Sequence, residues 1–485
     1  MRIPLTPHFS LSHRCSPMFS TRLMTFVCAL ASALLVSNAV AAEKSKRPPS
    51  IVLIVSDDQG FADLSCIGDN GCRTPRLDQL AASGTRLTSF YVSWPACTPS
   101  RASLMTGRYP QRNGTYDMIR NEAPDYDYLY TPEEYAVTAE RILGTDLQEV
   151  FLADVLKQAG YVSAVFGKWD GGQLKRYLPL QRGFDQYYGF ANTGVDYFTH
   201  ERYGVPSMFR DNQPTEEDKG TYLTDLFERE AIRFIDENHD RPFFLYLPFN
   251  APHSASNLDR SIRGFAQAPQ EYLDHFPGGE SKQEKRRQAY LAAVERMDEA
   301  IGKVVDQLQQ HQIADNTLII FLSDNGGGGG ADNSPLRGGK AKMFEGGNRV
   351  PCIVHWPGKV PAGKVSNQFL TSLEVFPTVI AAIGGKLPDD VIYDGFDMLP
   401  VLNGASSPRE EMFWKRRGDV AARVGDWKWV DSAAGKGLFD LAHDIGEKKD
   451  LSKEHPEMLA KLKARFDAWT AEMEAADPRG PFRDY

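Results

Sequence analysis

The sequence predicts an α/β fold: one large mixed sheet flanked by helices, followed by a small antiparallel sheet with a helix packed on it. Three observations predict this. Short unbroken apolar runs such as Ile51-Val52-Leu53-Ile54-Val55 and Thr317-Leu318-Ile319-Ile320-Phe321-Leu322 read as strands buried on both faces. They alternate with amphipathic helical stretches, the pattern of a sheet covered by helices. From about residue 404 the texture changes to short strands, at 420–424 and 427–430 and around Leu438-Phe439-Asp440-Leu441, and then a helix at 456–475.

At 485 residues the chain exceeds one small core, so a large domain at 49–403 and a smaller one at 404–485 are expected. Hydrophobic content of 42% and charged content of 25% are ordinary for a globular protein. A net charge of −9 lacks the basic footprint of a general nucleic-acid binder, yet leaves room for a local basic pocket that takes an anion.

Residues 1–42 read as a signal peptide. Arg22 precedes an apolar run at 23–36, and Ala39-Val40-Ala41 offers a small-residue cleavage site. The run is short for a membrane span, and Glu43-Lys44-Ser45-Lys46-Arg47 follows it. An uncleaved anchor is the alternative, and Met18 an alternative start. The mature chain is expected to be periplasmic or secreted, with no stable membrane span. Of the six cysteines, Cys15 and Cys28 leave with the leader. Cys66 and Cys72 are close enough in sequence to close a small disulfide loop, and Cys352 lies in an apolar, strand-like run.

In chain order, the strand at 51–55 ends in Ser56-Asp57-Asp58-Gln59-Gly60. Adjacent strand residues face opposite ways, so both acids converge only if the backbone turns, which Gly60 permits. A helix at 74–84 has Thr74 as cap, Pro75 in its first turn and Gly84 as stop. A strand at 87–92 delivers the chain to Cys97-Thr98-Pro99-Ser100-Arg101-Ala102-Ser103-Leu104-Met105-Thr106-Gly107-Arg108, a helix with Gly107 as its C-terminal stop. A Cys at a helix start beside an Arg is an anion-binding, nucleophile-activating arrangement. Residues 113–146 carry acids and Tyr126, Tyr128, Tyr130 and Tyr135, and read as a long loop near the site.

A helix at 147–160 and a strand at 161–166 lead to Gly167-Lys168-Trp169-Asp170. A helix at 222–237 and a strand at 242–249 lead to Asn250-Ala251-Pro252-His253. Residues 254–288 read as a polar, lid-like segment whose charge run at 282–287 is a solvated helical face, and 290–310 as a long amphipathic helix. The strand at 317–322 ends in Ser323-Asp324-Asn325-Gly326, and a glycine run at 326–330 follows as a loop beside the site. Read alone, Asp57 and Asp58 are two solvated loop acids rather than a cation site.

Cys97-x-Pro-Ser-Arg…Leu-x-Thr-Gly-Arg108 resembles the signature of the formylglycine-dependent sulfatases, and the resemblance extends over nearly all of 49–475. It implies an alkaline-phosphatase-like sandwich and oxidation of Cys97 to formylglycine by a maturation enzyme. The aldehyde hydrate of formylglycine attacks sulfate esters. It implies calcium held by Asp57, Asp58, Asp324 and Asn325 together with position 97, and Arg101 beside the nucleophile. Lys168, His253 and Lys340, the last in Arg337-Gly338-Gly339-Lys340-Ala341-Lys342-Met343-Phe344-Glu345-Gly346-Gly347, would contact the sulfate; Lys342 competes with Lys340 for that role. One position departs from the family: Asp170 stands where a His usually takes a proton. Either its carboxylate does that work or another His does, and His200 in Asp196-Tyr197-Phe198-Thr199-His200 is the local choice. The implied activity is sulfate-ester hydrolysis, with a sulfated carbohydrate as substrate. The rivals are a phosphonate or phosphodiester hydrolase of the same fold and a catalytically silent binder of sulfated glycans.

Overall fold

A computed structural model describes residues 47–119 and 144–476. The leader residues before 47 and the tyrosines at 126, 128, 130 and 135 therefore lie outside the described residues. From Pro49 onward the chain is one compact unit.

The strand Ser50–Ser56 is the centre of a ten-stranded mixed sheet. It pairs in parallel with Thr317–Ser323 on one side and Phe243–Pro248 on the other. The order runs outward from Phe243–Pro248 to Val162–Lys168 and Gln186–Phe190, all parallel. On the other flank the antiparallel strand Cys352–His355 follows Thr317–Ser323, and Thr85–Leu87 follows it. Register places Ser56 opposite Ser323 and Val55 opposite Pro248, so the C-terminal ends of these strands lie at one level.

Alternation within Ser50–Ser56 explains the layers. Ile51, Leu53 and Val55 belong to the hydrophobic cluster on one face, Val52 and Ile54 to that on the other. The helices Leu223–Asn238 and Lys282–Gln310 supply Phe234, Ala293 and Met297 to the second cluster. Cys97–Thr106, Leu152–Gln158 and Val375–Ala382 supply Leu104, Leu156 and Phe376 to the first. The result is a three-layer sandwich. The strands Glu411–Arg416, Asp419–Val424, Trp427–Ser432 and Gly435–Asp440 form the expected small antiparallel sheet, and Pro456–Ala475 packs on it. Trp414 of that sheet donates its indole N–H to the carbonyl of Val92, and Trp94 donates its own to Lys415, so the small sheet braces the approach to Cys97.

Several expectations are corrected. The strand at 87–92 is two strands, Thr85–Leu87 in the main sheet and Phe90–Tyr91 paired with Leu370–Thr371, because the chain bends at Thr88 and Ser89. The helix at 147–160 begins only at Leu152, after turns. Thr74 does not cap its helix: its hydroxyl is taken up by Ser65 and Asp78. The helix's free N–H groups at Arg76 and Leu77 go instead to Asp298, at 2.9 and 2.7 Å, a cap supplied from another helix. The charge run at 282–287 opens the long helix under a capping box of Ser281 and Glu284. Its Arg287 turns inward to Asp63 at 2.8 Å rather than to solvent. Cys66 and Cys72 are free thiols, not a disulfide; the Cys72 thiol donates to the carbonyl of Asp63 at 3.4 Å. Cys352 is a buried strand thiol, as read from the sequence.

Candidate active site

Neighbouring parallel strands deliver the site along one sheet edge. Thr317–Ser323 hands on Asp324 and Asn325, Ser50–Ser56 hands on Asp57 and Asp58, Phe243–Pro248 leads to His253, and Val162–Lys168 ends on Lys168 itself. The turn that brings both acids together is made at Asp58, not Gly60: Asp58 is left-handed at φ +65, and its N–H donates to Asp324 Oδ1 at 3.2 Å. Asp is one of the few residues that tolerate this conformation. Gly60 serves close approach, since a Cβ there would lie 2.3 Å from the carbonyl oxygen of Asp332.

Cys97 is the first residue of its helix and is 1% exposed. Its thiol donates to Asp57 Oδ1 at 3.4 Å, and Lys340 Nζ donates to the sulfur at 3.2 Å. Burial pushes the thiol well above the ordinary cysteine range despite Lys168 and Lys340 beside it. The activation expected from the helix start and Arg101 is therefore overridden, and the group stays a neutral thiol. Arg101 donates Nε–H to Asp324 Oδ2 at 2.9 Å and lies 3.7 Å from Asp57 Oδ1, the acceptor of the thiol.

The charges around the sulfur are paired. Lys168 Nζ donates to Asp57 Oδ2 at 2.8 Å with both side chains fully buried, and Lys340 lies 2.7 Å from Asp58 Oδ1. Burial works against the Lys168 charge, but Asp57 and further anionic neighbours outweigh it and hold the ammonium protonated. Burial would raise the Asp58 carboxyl, yet Lys340 and His253 hold it well below the carboxylate range. His253 donates Nδ1–H to the carbonyl of Ser254 at 2.7 Å, which leaves Nε2 facing Asp58 Oδ2 at 3.7 Å. Burial, with Lys340 nearby, pushes its pKa down to about 3, so the ring is neutral. Lys340 and not Lys342 reaches the sulfur; Lys342 is exposed.

Asp170 reaches the site and His200 does not. Asp170, left-handed at φ +54, accepts the Thr98 hydroxyl on Oδ1 at 2.8 Å. Its Oδ2 lies 3.5 Å from Lys168 Nζ, is buried, and has no hydrogen-bond partner among the described residues. The His200 ring pairs with the carbonyl of Thr221 at 2.8 Å, and the charges that act on it are Asp218, Asp196 and Lys219 rather than any group around Cys97. Sequence reasoning missed Thr98, although it lies inside the motif, and Tyr197, whose hydroxyl donates to the carbonyl of His253 at 2.7 Å and fixes that loop.

Of the donors gathered here, the carboxylate and amide oxygens are the ones a hard cation takes. Ligand atoms of Asp57, Asp58, Cys97 and His253 lie within 4.8 Å of one another. Asn325 donates Nδ2–H to Asp58 Oδ1 at 2.8 Å, while its buried Oδ1 has no hydrogen-bond partner among the described residues. An amide oxygen without a hydrogen bond, among carboxylates, is a donor that a hard cation can take.

A sequence model of the sulfatase family matches residues 49–385. The N-acetylgalactosamine-6-sulfatase of Canis lupus familiaris is 35% identical over 422 residues, covering 81% of this chain and 74% of that protein. An arylsulfatase of Hemicentrotus pulcherrimus is 33% identical over 424 residues, 82% of this chain and 70% of its own. The crystal structure of Ps i-CgsB in complex with k-i-k-neocarrahexaose superposes with a TM-score of 0.77 at 33% identity, over 89% of this chain and 94% of that one.

Proposed function

The chain belongs to the sulfatase family, a family of sulfuric ester hydrolases, and on that premise we propose that it cleaves a sulfate ester from a sulfated carbohydrate, using calcium and a formylglycine made from Cys97. The observation that carries this is the buried Cys97 sulfur set between Asp57 and Lys340, with Lys168, Arg101 and His253 around it. The carbohydrate is supported by the relatives, one named for an N-acetylgalactosamine sulfate and one solved with a neocarrahexaose.

Asp57, Asp58, Asp324 and Asn325, with position 97, would hold the calcium, which supplies Lewis-acid stabilisation of oxygen charge when bound. A maturation enzyme that supplies a two-electron oxidant and carries off the sulfur would replace the Cys97 thiol by an aldehyde, whose hydrate would supply an oxygen nucleophile that the inert thiol does not. Lys168 and Lys340 present fixed ammonium groups to the sulfuryl oxygens, in a buried site where such charges act strongly on a developing anion. His253 offers Nε2 to the same oxygens and becomes a donor once a bound anion reverses the local sign. Asp170 is the proton acceptor: Thr98 fixes one oxygen and leaves the other without a hydrogen bond, 3.5 Å from Lys168 Nζ, in the place where the family uses a His.

Asp170 also motivates a second reading, a silent binder of sulfated glycans. We further propose that residues 1–42 are a leader removed on export to the periplasm or beyond, with 49–403 catalytic and 404–485 a smaller subdomain. Among the described residues no helix is long and apolar enough to cross a membrane.

The test is the mass of the tryptic peptide spanning 87–101 from protein secreted by its native host, together with aryl sulfate turnover. The expected result is a peptide that has exchanged sulfur and two hydrogens for one oxygen, in a protein that releases sulfate. An unmodified thiol in an active preparation would overturn the formylglycine assignment. A modified peptide without turnover would favour the silent binder.

A further inference from the structure

The glycine run after Asn325 leads out of the reaction centre into a second depression. A Cβ at Gly328 would lie 3.2 Å from Asp58 Oδ2 and 3.5 Å from Lys340 Cβ, so this residue walls the centre itself. A Cβ at Gly329 would press on Ser254 Oγ at 2.7 Å, and Gly330, at φ +122, packs 3.0 Å by the same measure from the carbonyl oxygen of Arg286. Two residues of chain, at most about 7 Å, thus separate the wall of the centre from the wall of a cavity of about 610 Å³. Lys282, Arg286, Arg287, Gly330 and Asp332 line that cavity.

Its charges are not balanced. Arg287 is committed to Asp63 at 2.8 Å and to the carbonyls of Gly330 and Asn70 at 3.0 and 3.2 Å. Asp332 is held by Ser334 N–H at 2.8 Å and by Asn70 Nδ2 at 3.3 Å. Lys282 and Arg286 have no ion-pair partner among the described residues, and the buried Nε of Arg286 has no hydrogen-bond partner. Both rest against one ring: Arg286 lies 5.5 Å and Lys282 5.9 Å from the centre of Phe265. They stand four residues apart at the start of the Lys282–Gln310 helix, a spacing at which like charges are neighbours and mildly repel. A guanidinium and an ammonium converging on a cavity suit a multi-oxygen anion.

We infer that this cavity is a subsite for an anionic substituent, a sulfate ester or a carboxylate, on the sugar unit next to the one that is cleaved. Lys282 and Arg286 then select a glycan charged on adjacent units over one charged on the reacting unit alone. This rests on the reading of the chain as a glycan sulfatase.

The test compares kcat/KM for a singly sulfated oligosaccharide with that for the same oligosaccharide carrying a second sulfate, or a uronate, on the neighbouring unit. Wild-type protein is expected to prefer the doubly charged substrates. Lys282→Ala with Arg286→Ala is expected to cut that preference about tenfold or more, the scale of losing hydrogen bonds to charged groups. The sulfate and uronate arms show which anion is read. No preference in the wild type, or the same preference in the double variant, overturns the subsite. Calorimetric binding of the same oligosaccharides decides the matter independently of turnover. If no sulfate ester is cleaved, the hydrolase reading fails, while tighter binding of the doubly charged glycan that the double variant loses still supports the subsite, and equal binding overturns it.

Discussion

Thr98 donates its hydroxyl to Oδ1 of Asp170 at 2.8 Å, one residue beyond the cysteine that starts the helix. The bond ties the Cys97 helix to the end of the Val162–Lys168 strand and leaves Asp170 Oδ2 without a hydrogen bond beside Lys168. If that oxygen accepts a proton in the reaction, Asp170→Asn is expected to lower kcat on an aryl sulfate by about 10²–10⁴ with little change in KM. Thr98→Val, which frees the carboxylate without removing it, is expected to fall between wild type and Asp170→Asn. Asp170→Asn within twofold of wild type would remove the assignment.

Calcium is expected to stabilise the fold as well as serve the reaction. Thermal melts with calcium at about a hundred times its Kd should gain about 2.7 kcal/mol over chelator-treated protein. Asn325→Ala removes the amide Oδ1 and should shrink that gain and weaken calcium binding about tenfold or more, read by calorimetry. A gain in Asn325→Ala equal to that of wild type would show that this oxygen is not a ligand.

Cys97 is expected to be inert as a thiol. In protein made in a host without a maturation enzyme, a small alkylating agent at pH 8 should leave Cys97 unlabelled in the folded chain and label it in denaturant, as read by peptide mass. Cys97→Ala should abolish sulfate release. Fast labelling of the native thiol would contradict the burial that raises its pKa.

Stability is expected to fall as pH rises toward 7 because of Glu447. Lys428 lies between two buried carboxylates, 2.8 Å from Glu345 and 3.4 Å from Glu447. At Glu345 burial is overcome by Lys428 together with Arg349 and Arg423, and the pKa is lowered to about 2; at Glu447 burial wins, and the pKa is pushed up to about 7. A carboxyl raised in the fold is held protonated there while the unfolded chain has already released its proton. Its contribution is therefore full below about pH 4.5 and is lost as pH rises through about 7. Glu447→Gln should flatten the decline in melting temperature between pH 5 and 8, a difference of up to about 3 kcal/mol. An unchanged slope would place the titrating group elsewhere.

The sheet, and the gathering of most candidate site residues at one edge of it, were legible because both rest on local signals. Ile51 to Val55 could only be a buried strand, and the acids at 57, 58 and 324 fall where such strands end. What stayed hidden depends on partners distant in sequence. Nothing near His200 shows that its ring will be taken by Thr221, nor near Arg287 that it will turn in to Asp63. The helix after Thr74 draws its cap from Asp298, and no local pattern carries that. At Cys97 the local signal pointed the wrong way: a helix start and an arginine suggest an activated thiol, and only the packed structure shows burial prevailing.

The central position of Ser50–Ser56 has a consequence for synthesis. This strand is made first, yet its two neighbours begin at Phe243 and Thr317. At about 5–20 residues per second, an apolar strand open on both edges waits on the order of tens of seconds for its partners. Such an edge is a template for pairing with other chains. A nascent chain halted before residue 317 is therefore expected to be more aggregation-prone than one in which the Thr317–Ser323 strand has been made.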